Sequence, residues 1–585
     1  MSKILASCLL SLILFGLVAC GGGGSTPAPT PTPTPTPVPS PTPAAPVSVS
    51  PTAFTVPLNG DQQLTAAGSA TPVTWSVNGI VGGNTTVGTI SAVGHYFAPS
   101  GFNPPGTITV TITATSIADA TKTASSTANV VYPNKNNVTE PTLPIKLGSV
   151  GENLLDNNTA NTACCVGTLG SLITRGTTHF ILSNNHVLAR SDLGVNGEAI
   201  NQTRTCGGGT PVGTLAGHSV LKPTANDATG CVQPTTATLC GIAPDNVDAA
   251  IASANGSVDS LGTILELGAA TSTDIGDLPP SSTLGTPAIG LAVAKSGRTT
   301  GLTCSSIQAL NGSVAVDYDS SCGATTAAFQ SHFSNQILVT GANFIESGDS
   351  GSLLVESATA RPVGLMYAGG GSTAVANPIA DVIAVLNTRT GAGLGLITGN
   401  PDHQVSCQQT QVVANSKQIG GASAQVSATA ATLSPEQRQT ATHARDNHAM
   451  LLMRDQAVRA VTIGASADNP KEGAVVIELS APPRQPIPAV MDGVRTRVVY
   501  TAGANIDTTL SEQALKNTIA VKEAHVNEYF GKQGIRAVAV GRSDDNPAET
   551  AILIYTTIGV ASPTIPPVID GIRTRVIEGT PFHAR

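Results

Sequence analysis

Two stretches near the end of the 585-residue sequence repeat each other, 77 or 78 positions apart. The repeated segments are 458–461 and 535–538, 468–470 and 545–547, and 491–498 and 569–576. Each copy follows a helix-like stretch, 435–454 or 511–529, and then shows three strand-like runs. One copy is too small to bury a stable core, so the repeat predicts a single α+β domain over residues 433–585. Its Asp-Gly-x-Arg-Thr-Arg segments fit turns and solvated strand faces as well as a binding site.

The first twenty residues have the pattern of an export signal. Lys3 precedes an apolar run, 9–18, that is too short to span a bilayer. Residues 17–20, Leu-Val-Ala-Cys, resemble a bacterial lipobox, which implies cleavage and lipid attachment at Cys20; a plain secretory signal is the alternative. Residues 21–46 form a Gly/Pro/Thr-rich tether that favours extended polyproline II. We therefore expect an exported chain, lipid-anchored to the bacterial cell envelope and facing the periplasm or the cell surface.

The composition narrows the possible partners. Only 11% of residues are charged and the net charge is −8, so no basic surface for nucleic acid is expected. Excluding Cys8 and Cys20, eight cysteines remain, and in an exported chain this even number favours disulfides. Cys304 and Cys322 flank a predicted hairpin and are our expected pair. No paired Cys-x-x-Cys motif is present, so structural zinc is not expected. We predict no metal site and no cofactor.

Residues 47–133 show short alternating runs separated by Gly, Pro and Asn turns, which indicates an all-β domain. Trp75, the sole tryptophan, lies in one such run. With the segment 94–99, Gly-His-Tyr-Phe-Ala-Pro, this region resembles bacterial Ig-like domains, and the resemblance implies a sandwich with Trp75 buried between two sheets. A spacer is the favoured role, with adhesion or substrate binding as the alternative.

Residues 134–400 also consist of short β-like runs with Gly-rich turns, and helical periodicity begins only at 379–386. This pattern favours β-barrels or sandwiches. The polar stretch 401–432 is expected to be a linker between this domain and the repeats.

Three segments of this central region carry reactive side chains. An apolar strand leads to His186 in 180–189, Asp248 enters an apolar strand in 247–252, and Ser350 lies in the turn Gly-Asp-Ser-Gly within 346–355. Each could be structural alone. Together, in the order His, Asp, Ser, they match one known chain order of a catalytic triad. Asp245 and Asp227 are rival positions for the acid.

These segments resemble those of chymotrypsin-like serine peptidases of the bacterial secreted type. Residues 295–304 resemble the strand-turn-strand that opens the second barrel of such enzymes. The resemblance implies a double β-barrel that hydrolyses protein or peptide substrates. It also implies that His186 is the general base, Asp248 orients it, Ser350 is the nucleophile, and the N–H groups of Gly348 and Ser350 form the oxyanion hole. Asp349 is expected to be structural.

The same resemblance places the specificity pocket at Phe344, Ala368, Gly369 and Gly370. Phe344 falls where the pocket-base acid of trypsin would lie, so we expect a small or apolar side chain to be preferred. Two features depart from the family pattern. Val187 replaces the usual Cys after the histidine, and Ser352-Leu353 follows the nucleophile turn instead of Gly-Pro.

Two other functions stay open at this stage. The chain could be a surface binding or adhesion lipoprotein with an inactive peptidase-like domain. The substrate could instead be an ester, but the α/β-hydrolase arrangement requires Gly-x-Ser-x-Gly and the order Ser, acid, His. The oligomeric state does not follow from the sequence.

Overall fold

The computed structural model describes most of the chain after the tether. The described residues are 47–131, 143–156, 166–202, 208–221, 245–269, 276–319, 327–341, 344–406 and 433–584, with short gaps at 58–60, 69–72, 85–86, 100–106, 502–503 and 505. The predicted signal, Cys20, the tether and Asp227 lie outside them. The described chain is mainly β with few helices. Within it, no helix has both the length and the apolar character needed to cross a membrane.

The first β-region forms three sheets around one core. A five-stranded sheet has the order β2-β11-β10-β5-β6, a four-stranded sheet the order β3-β9-β8-β7, and β1 pairs with β4. Trp75 and Tyr96 are buried in the shared core. The Ig-like assignment stays a prediction. The strands are β1 Ser48–Ser50, β2 Ala53–Pro57, β3 Asp61–Gln63, β4 Thr65–Ala67, β5 Val73–Val77, β6 Ile80–Val81, β7 Gly83–Asn84, β8 Gly88–Ile90, β9 His95–Phe97, β10 Thr107–Ser116 and β11 Thr123–Val131.

An eight-stranded sheet begins the central region, with the order β13-β12-β16-β17-β18-β15-β14-β25. No pairing among the described residues joins its two end strands, so it differs here from the closed barrel expected. Its strands are β12 Val150–Asn153, β13 Gly167–Thr168, β14 Ser171–Arg175, β15 Thr178–Ser183, β16 Ala199–Gln202, β17 Thr210–His218, β18 Ala250–Ala254 and β25 Leu394–Ile397. The helices of the central region are α1 Asn185–Leu188 and α2 Ile379–Thr390.

Six further strands close into a ring. The pairing order is β19-β22-β23-β24-β21-β20, and β20 pairs back onto β19. One hydrophobic cluster combines residues of both sheets, including Ile251, Leu353 and Leu365, so the sheets share a core. The strands are β19 Ala292–Gly297, β20 Gly301–Asp319, β21 Ala327–Thr340, β22 Leu353–Glu356, β23 Pro362–Gly370 and β24 Thr373–Pro378.

The repeats each contain a helix followed by strands. Ser434 caps the first helix in a capping box and Ser511 caps the second, which fixes where both begin. The first repeat comprises α3 Pro435–Leu452, β26 Val458–Ala465, β27 Gly473–Leu479, β28 Val490–Met491 and β29 Val494–Tyr500. The second comprises α4 Glu512–Tyr529, β30 Ile535–Arg542, β31 Thr550–Thr557, β32 Val568–Ile569, β33 Ile572–Gly579 and β34 Phe582–Ala584.

The two repeats make reciprocal contacts at equivalent positions. Val498 N donates to Asp545 O at 2.7 Å, and Val576 N donates to Asp468 O at 2.8 Å. The Arg495 guanidinium donates to Thr574 O at 2.7 Å, and that of Arg573 donates to Thr496 O at 2.8 Å. Both arginines are buried. The sequence duplication is therefore expressed as a symmetric interface between the copies.

One connection was not anticipated from the sequence. β30 of the second repeat pairs antiparallel with β20, so the repeat's sheet continues the central ring. Val314 and Val316 of β20 share a hydrophobic cluster with Ala537 and Leu553 of the repeat. The repeats are thus attached to the central domain through both backbone pairing and apolar contact.

The interface between the repeats should make stability depend on pH. Burial and the neighbouring Asp545 carboxylate raise the pKa of Asp468 from 3.8 to about 6. The folded chain therefore holds a proton there that the unfolded chain releases, and stability falls as pH rises from about 4 to about 6. Asp468→Asn has no carboxyl group there and does not lose stability in this way. Calorimetry measures the Tm of the variant minus the Tm of the unmodified chain. We expect this difference to increase from pH 4.5 to pH 7 by an amount equivalent to about 2 kcal/mol.

Asp507→Asn is the matched control, because Asp507 is an exposed carboxylate whose pKa is lowered by its bonds to Thr509. The stabilisation that comes from this lowered pKa is lost only below pH 4.5. The Tm of Asp507→Asn minus the Tm of the unmodified chain should therefore stay constant from pH 4.5 to pH 7. A level difference for Asp468→Asn would contradict the prediction.

Candidate active site

Strand register brings His186 and Asp248 together. β15 and β18 are antiparallel, and Ser183 at the end of one pairs with Ala250 at the start of the other. His186 follows β15 on the short helix α1, and Asp248 precedes β18 by two residues. Their side chains meet, with 2.6 Å between His186 Nδ1 and Asp248 Oδ2. The contact therefore results from two adjacent strand ends.

The Asp248 carboxylate is fully buried and surrounded by donors. Oδ1 accepts from the backbone N–H of Asn185 at 2.7 Å and of His186 at 3.3 Å. The Tyr318 hydroxyl donates to Oδ2 at 2.9 Å. Such a set of donors offsets the cost of burying the charge and fixes the orientation of the carboxylate.

Asparagines hold the backbone of Asp248 in place. The Asn377 side chain accepts from Asp248 N at 3.1 Å, and Asn184 Nδ2 donates to Asp248 O at 2.7 Å. Sequence reasoning missed these two residues and also Tyr318. Burial and the charge of Asp248 raise the pKa of the Tyr318 hydroxyl well above its ordinary value, so it stays a neutral donor.

The rival acid Asp245 has a different partner. Its carboxylate is bound by Arg389, with Nε 2.7 Å from Oδ2, and it also accepts from Val220 N. This ion pair ties α2 to the chain before β18. Asp248, and not Asp245, contacts the histidine.

The turn that carries Ser350 lies against the end of β15. Gly348 and Gly351 have φ values of 100° and 94°, a region that favours glycine. A side chain at Gly351 would collide with Ser183 and the Thr168 carbonyl. Thr168 N also donates to Ser350 O at 2.8 Å. These contacts place the serine beside the strand that leads to His186.

The Ser350 hydroxyl is completely buried and donates to the carbonyl of Tyr367 at 3.2 Å. His186 Nε2 is also buried, and no described residue hydrogen-bonds to it. A hydrogen bond from Ser350 to His186, which would suit the roles predicted for them, is therefore not made in this arrangement. Such bonds are often long or misaligned in enzymes without substrate.

The carbonyls of the serine turn are held on defined sides. Thr299 Oγ1 donates to Ser347 O at 2.7 Å, and Ser352 N donates to Asp349 O at 3.0 Å. A planar trans peptide directs its N–H opposite to its carbonyl. The bond to Ser347 O therefore directs the N–H of Gly348 away from Thr299. The bond to Asp349 O directs the N–H of Ser350 away from Ser352 N in the same way.

The buried carboxylate of Asp349 holds the serine turn in place through several contacts. Its carboxylate accepts from the backbone N–H of Thr299 and Glu346 at 2.8 and 2.9 Å, and Lys295 Nζ lies 3.3 Å from Oδ2. Both partners of this ion pair are fully buried. Burial lowers the pKa of Lys295, and the Asp349 charge opposes that shift. Asp349 thus serves to position the turn.

The residues predicted to form the specificity pocket lie in two places. Phe344 is buried in the hydrophobic core of the ring, among residues such as Val339 and Met366. Ala368, Gly369 and Gly370 form the end of β23, and Ala368 and Gly369 pair with β34 of the second repeat. The pocket role of all four residues stays a prediction.

The predictions about disulfides and metals can be compared with the structure only for the described residues. Cys304 is disulfide-bonded. Its expected partner Cys322 lies outside the described residues, as do Cys164, Cys165, Cys206, Cys231, Cys240 and Cys407. In the part of the chain that the structure describes, no group of three or more His, Cys, Asp or Glu side chains is placed to hold a metal.

Comparison with known proteins finds similarity only to solved structures. No protein-family model and no curated protein matches the chain. A glutamic acid specific serine protease matches at 16% identity and a TM-score of 0.27, over 42% of this chain and 98% of its own. Protease A of Thermobifida fusca matches at 17% identity and 0.27, over 43% and 98%. An alpha-lytic protease homolog, N4, matches at 19% and 0.26, over 40% and 92%. With TM-scores this low, function has to be inferred from the site itself.

The buried ion pair under the serine turn predicts a large effect on stability. Asp349→Asn removes the carboxylate that pairs directly with the buried Lys295 ammonium, which should cost on the order of 3 kcal/mol of unfolding free energy. Asp402→Asn is the matched control, because Asp402 pairs with Arg361 at the surface, where solvent screens the pair and its loss should change stability little. Calorimetric unfolding of both variants checks this, and equal losses would contradict it.

Proposed function

We propose that the chain is a serine endopeptidase that hydrolyses peptide bonds through Ser350, His186 and Asp248. The observation that carries the proposal is the 2.6 Å contact between His186 and the buried Asp248 carboxylate, beside a glycine-built turn that presents a serine. Asp248, held by backbone N–H groups and Tyr318, fixes the ring of His186 with Nδ1 toward the acid. Nε2 is then the nitrogen available for proton transfer.

The proposed mechanism is acyl transfer in two steps. Ser350 Oγ leaves the Tyr367 carbonyl, passes its proton to His186 Nε2 and attacks the substrate carbonyl carbon. The imidazolium, stabilised by Asp248, returns the proton to the leaving amine as the peptide C–N bond breaks. Water then attacks the acyl-enzyme with the same base, which releases the acid and restores the serine.

The negative oxygen of each tetrahedral intermediate needs preorganised donors. The bonds from Thr299 to Ser347 O and from Ser352 to Asp349 O orient the N–H groups of Gly348 and Ser350. We assign these two N–H groups to the oxyanion hole. In serine peptidases the loss of one such donor lowers the rate by about 10²–10³.

The proposed setting follows from the sequence. Lipid attachment at Cys20 would hold the chain at the cell envelope, and the tether and the first β-region would separate the active site from the membrane. The substrates would then be proteins or peptides outside the cytoplasm.

Covalent labelling tests the nucleophile. A fluorophosphonate should modify Ser350 in the folded chain or in the chain shortened to end at Gly579, identified by peptide mass spectrometry, and should leave Ser350→Ala unmodified. The shortened chain is included because β34 pairs with the end of β23 beside Tyr367, whose carbonyl accepts from Ser350. The proposal fails if neither protein, shown to be folded by calorimetry, is modified at Ser350.

The assignment of the acid is tested by comparing two aspartates three positions apart in the sequence. Asp248→Asn should lower kcat/KM by about 10⁴, because an amide cannot stabilise the imidazolium or enforce its tautomer. Asp245→Asn removes the charge that pairs with Arg389, does not touch His186, and should keep kcat/KM close to that of the unmodified chain. Hydrolysis of a fluorogenic peptide by both variants is the measurement. An equal loss of kcat/KM in both variants would show that Asp248 is not the acid that orients His186.

A further inference from the structure

The last described strand, β34, lies in a groove of the central domain. On one side it pairs parallel with β20, at Val316 with Phe582 and Asp317 with His583. On the other side it pairs antiparallel with β23. Both neighbours belong to the ring that carries the serine turn. A strand of the second repeat therefore fills a space between two strands of the proposed peptidase.

The direction of β34 leads to the proposed nucleophile. His583 pairs with Gly369 and Ala584 with Ala368, so the strand runs along β23 toward Tyr367. The Tyr367 carbonyl is the group that accepts from Ser350 Oγ. In a substrate, the residues on the N-terminal side of the scissile bond form the acyl part. These residues must therefore run toward Ser350 in the N-to-C direction, as β34 does. β34 has the polarity of that part of a substrate.

Small residues allow the repeat's backbone to come close. A side chain at Gly370 would collide with the carbonyls of Thr580 and Pro581, and one at Gly371 would crowd Gly579. Arg536 reaches across, with its guanidinium 4.3 Å from the Phe582 ring centre and one N–H donating to Gly370 O at 3.3 Å. The central domain contributes glycines, and the repeat contributes Arg536, to the close backbone contact between β34 and β23.

Other contacts hold the repeat beside the groove. β30 pairs with β20 at four positions, from Ala309 with Gly541 to Val314 with Ala537. The fully buried Lys522 ammonium donates to Ser313 Oγ at 2.8 Å, and Tyr555 OH donates to Gln308 Oε1 at 2.8 Å. These contacts keep β34 at a high effective concentration over the site.

We propose that the two-repeat domain is an intramolecular inhibitor of the peptidase, with β34 occupying the groove that binds the acyl side of the substrate. The proposal rests on the peptidase function proposed above. The occupied groove is the edge of β23 at Ala368 and Gly369, where β34 makes its strand pairing. The complete burial of the Ser350 hydroxyl fits a closed site.

The test compares the full chain with two variants that weaken β34. One ends at Gly579, and the other, His583→Pro, keeps the length but removes a backbone N–H and disfavours pairing with β20 and β23. Both should raise kcat/KM for a fluorogenic peptide, and the rate of fluorophosphonate labelling at Ser350, by at least about tenfold. Hydrogen exchange at the amides of β23 should become faster in both.

Ala481→Pro is the control, because it places a proline in an exposed loop of the first repeat, outside β34. It should keep the low activity of the full chain. The hexapeptide Thr-Pro-Phe-His-Ala-Arg, which copies residues 580–585, should inhibit the shortened chain competitively, and a permuted hexapeptide should not.

The outcomes separate the two proposals. If the full chain is already as active as both variants, the inhibitor is excluded and the peptidase stands. If folded full chain and variants all fail to label at Ser350, the peptidase function is excluded and the inhibitory role with it. Activation by His583→Pro without activation by Ala481→Pro supports the inhibitor even where the shortened chain fails to fold.

Discussion

The site depends on one buried charge, the carboxylate of Asp248. A carboxylate without water costs several kcal/mol unless donors surround it. Here the donors come from α1, which directly follows β15 of the first central sheet, and from Tyr318 on β20 of the ring. The interaction that orients His186 therefore also fixes how the two sheets meet. The same residue links the chemistry of the site to the packing of the domain.

The parts of the site that are local in sequence could be predicted from it. The glycines around Ser350 and the apolar strands beside His186 and Asp248 are short patterns with a direct physical cause. The support from Tyr318 and Asn377 could not be found in this way. Tyr318 is 70 positions from Asp248 and Asn377 is 129 positions away. Only the packing of the ring against the first central sheet brings them close to Asp248, and no local pattern records that packing.

The same limit explains the fold. The repeats were recognisable because each copy carries its own caps, turns and strand pattern, and the reciprocal contacts of Arg495 and Arg573 express that duplication. The pairing of β30 with β20 was not recognisable, because the free N–H and C=O groups of a strand edge are identical along any sequence. The order of the strands in the first central sheet, which is not closed by pairing among described residues, was hidden for the same reason.

The attachment of the repeats has two parts of unequal strength. β30 and β20 share four register positions, and a buried lysine donates to β20, whereas β34 has two register positions on each side and contributes Phe582 to the hydrophobic cluster that all three strands share. Segments with few contacts open at lower free energy than the element that carries them. Under the proposed inhibition, β34 would leave the groove while β30 stays docked, and a substrate strand that pairs longer along β23 would compete with it directly. Under the proposed inhibition, the length of the pairing strand, and not release of the whole domain, would decide access to Ser350.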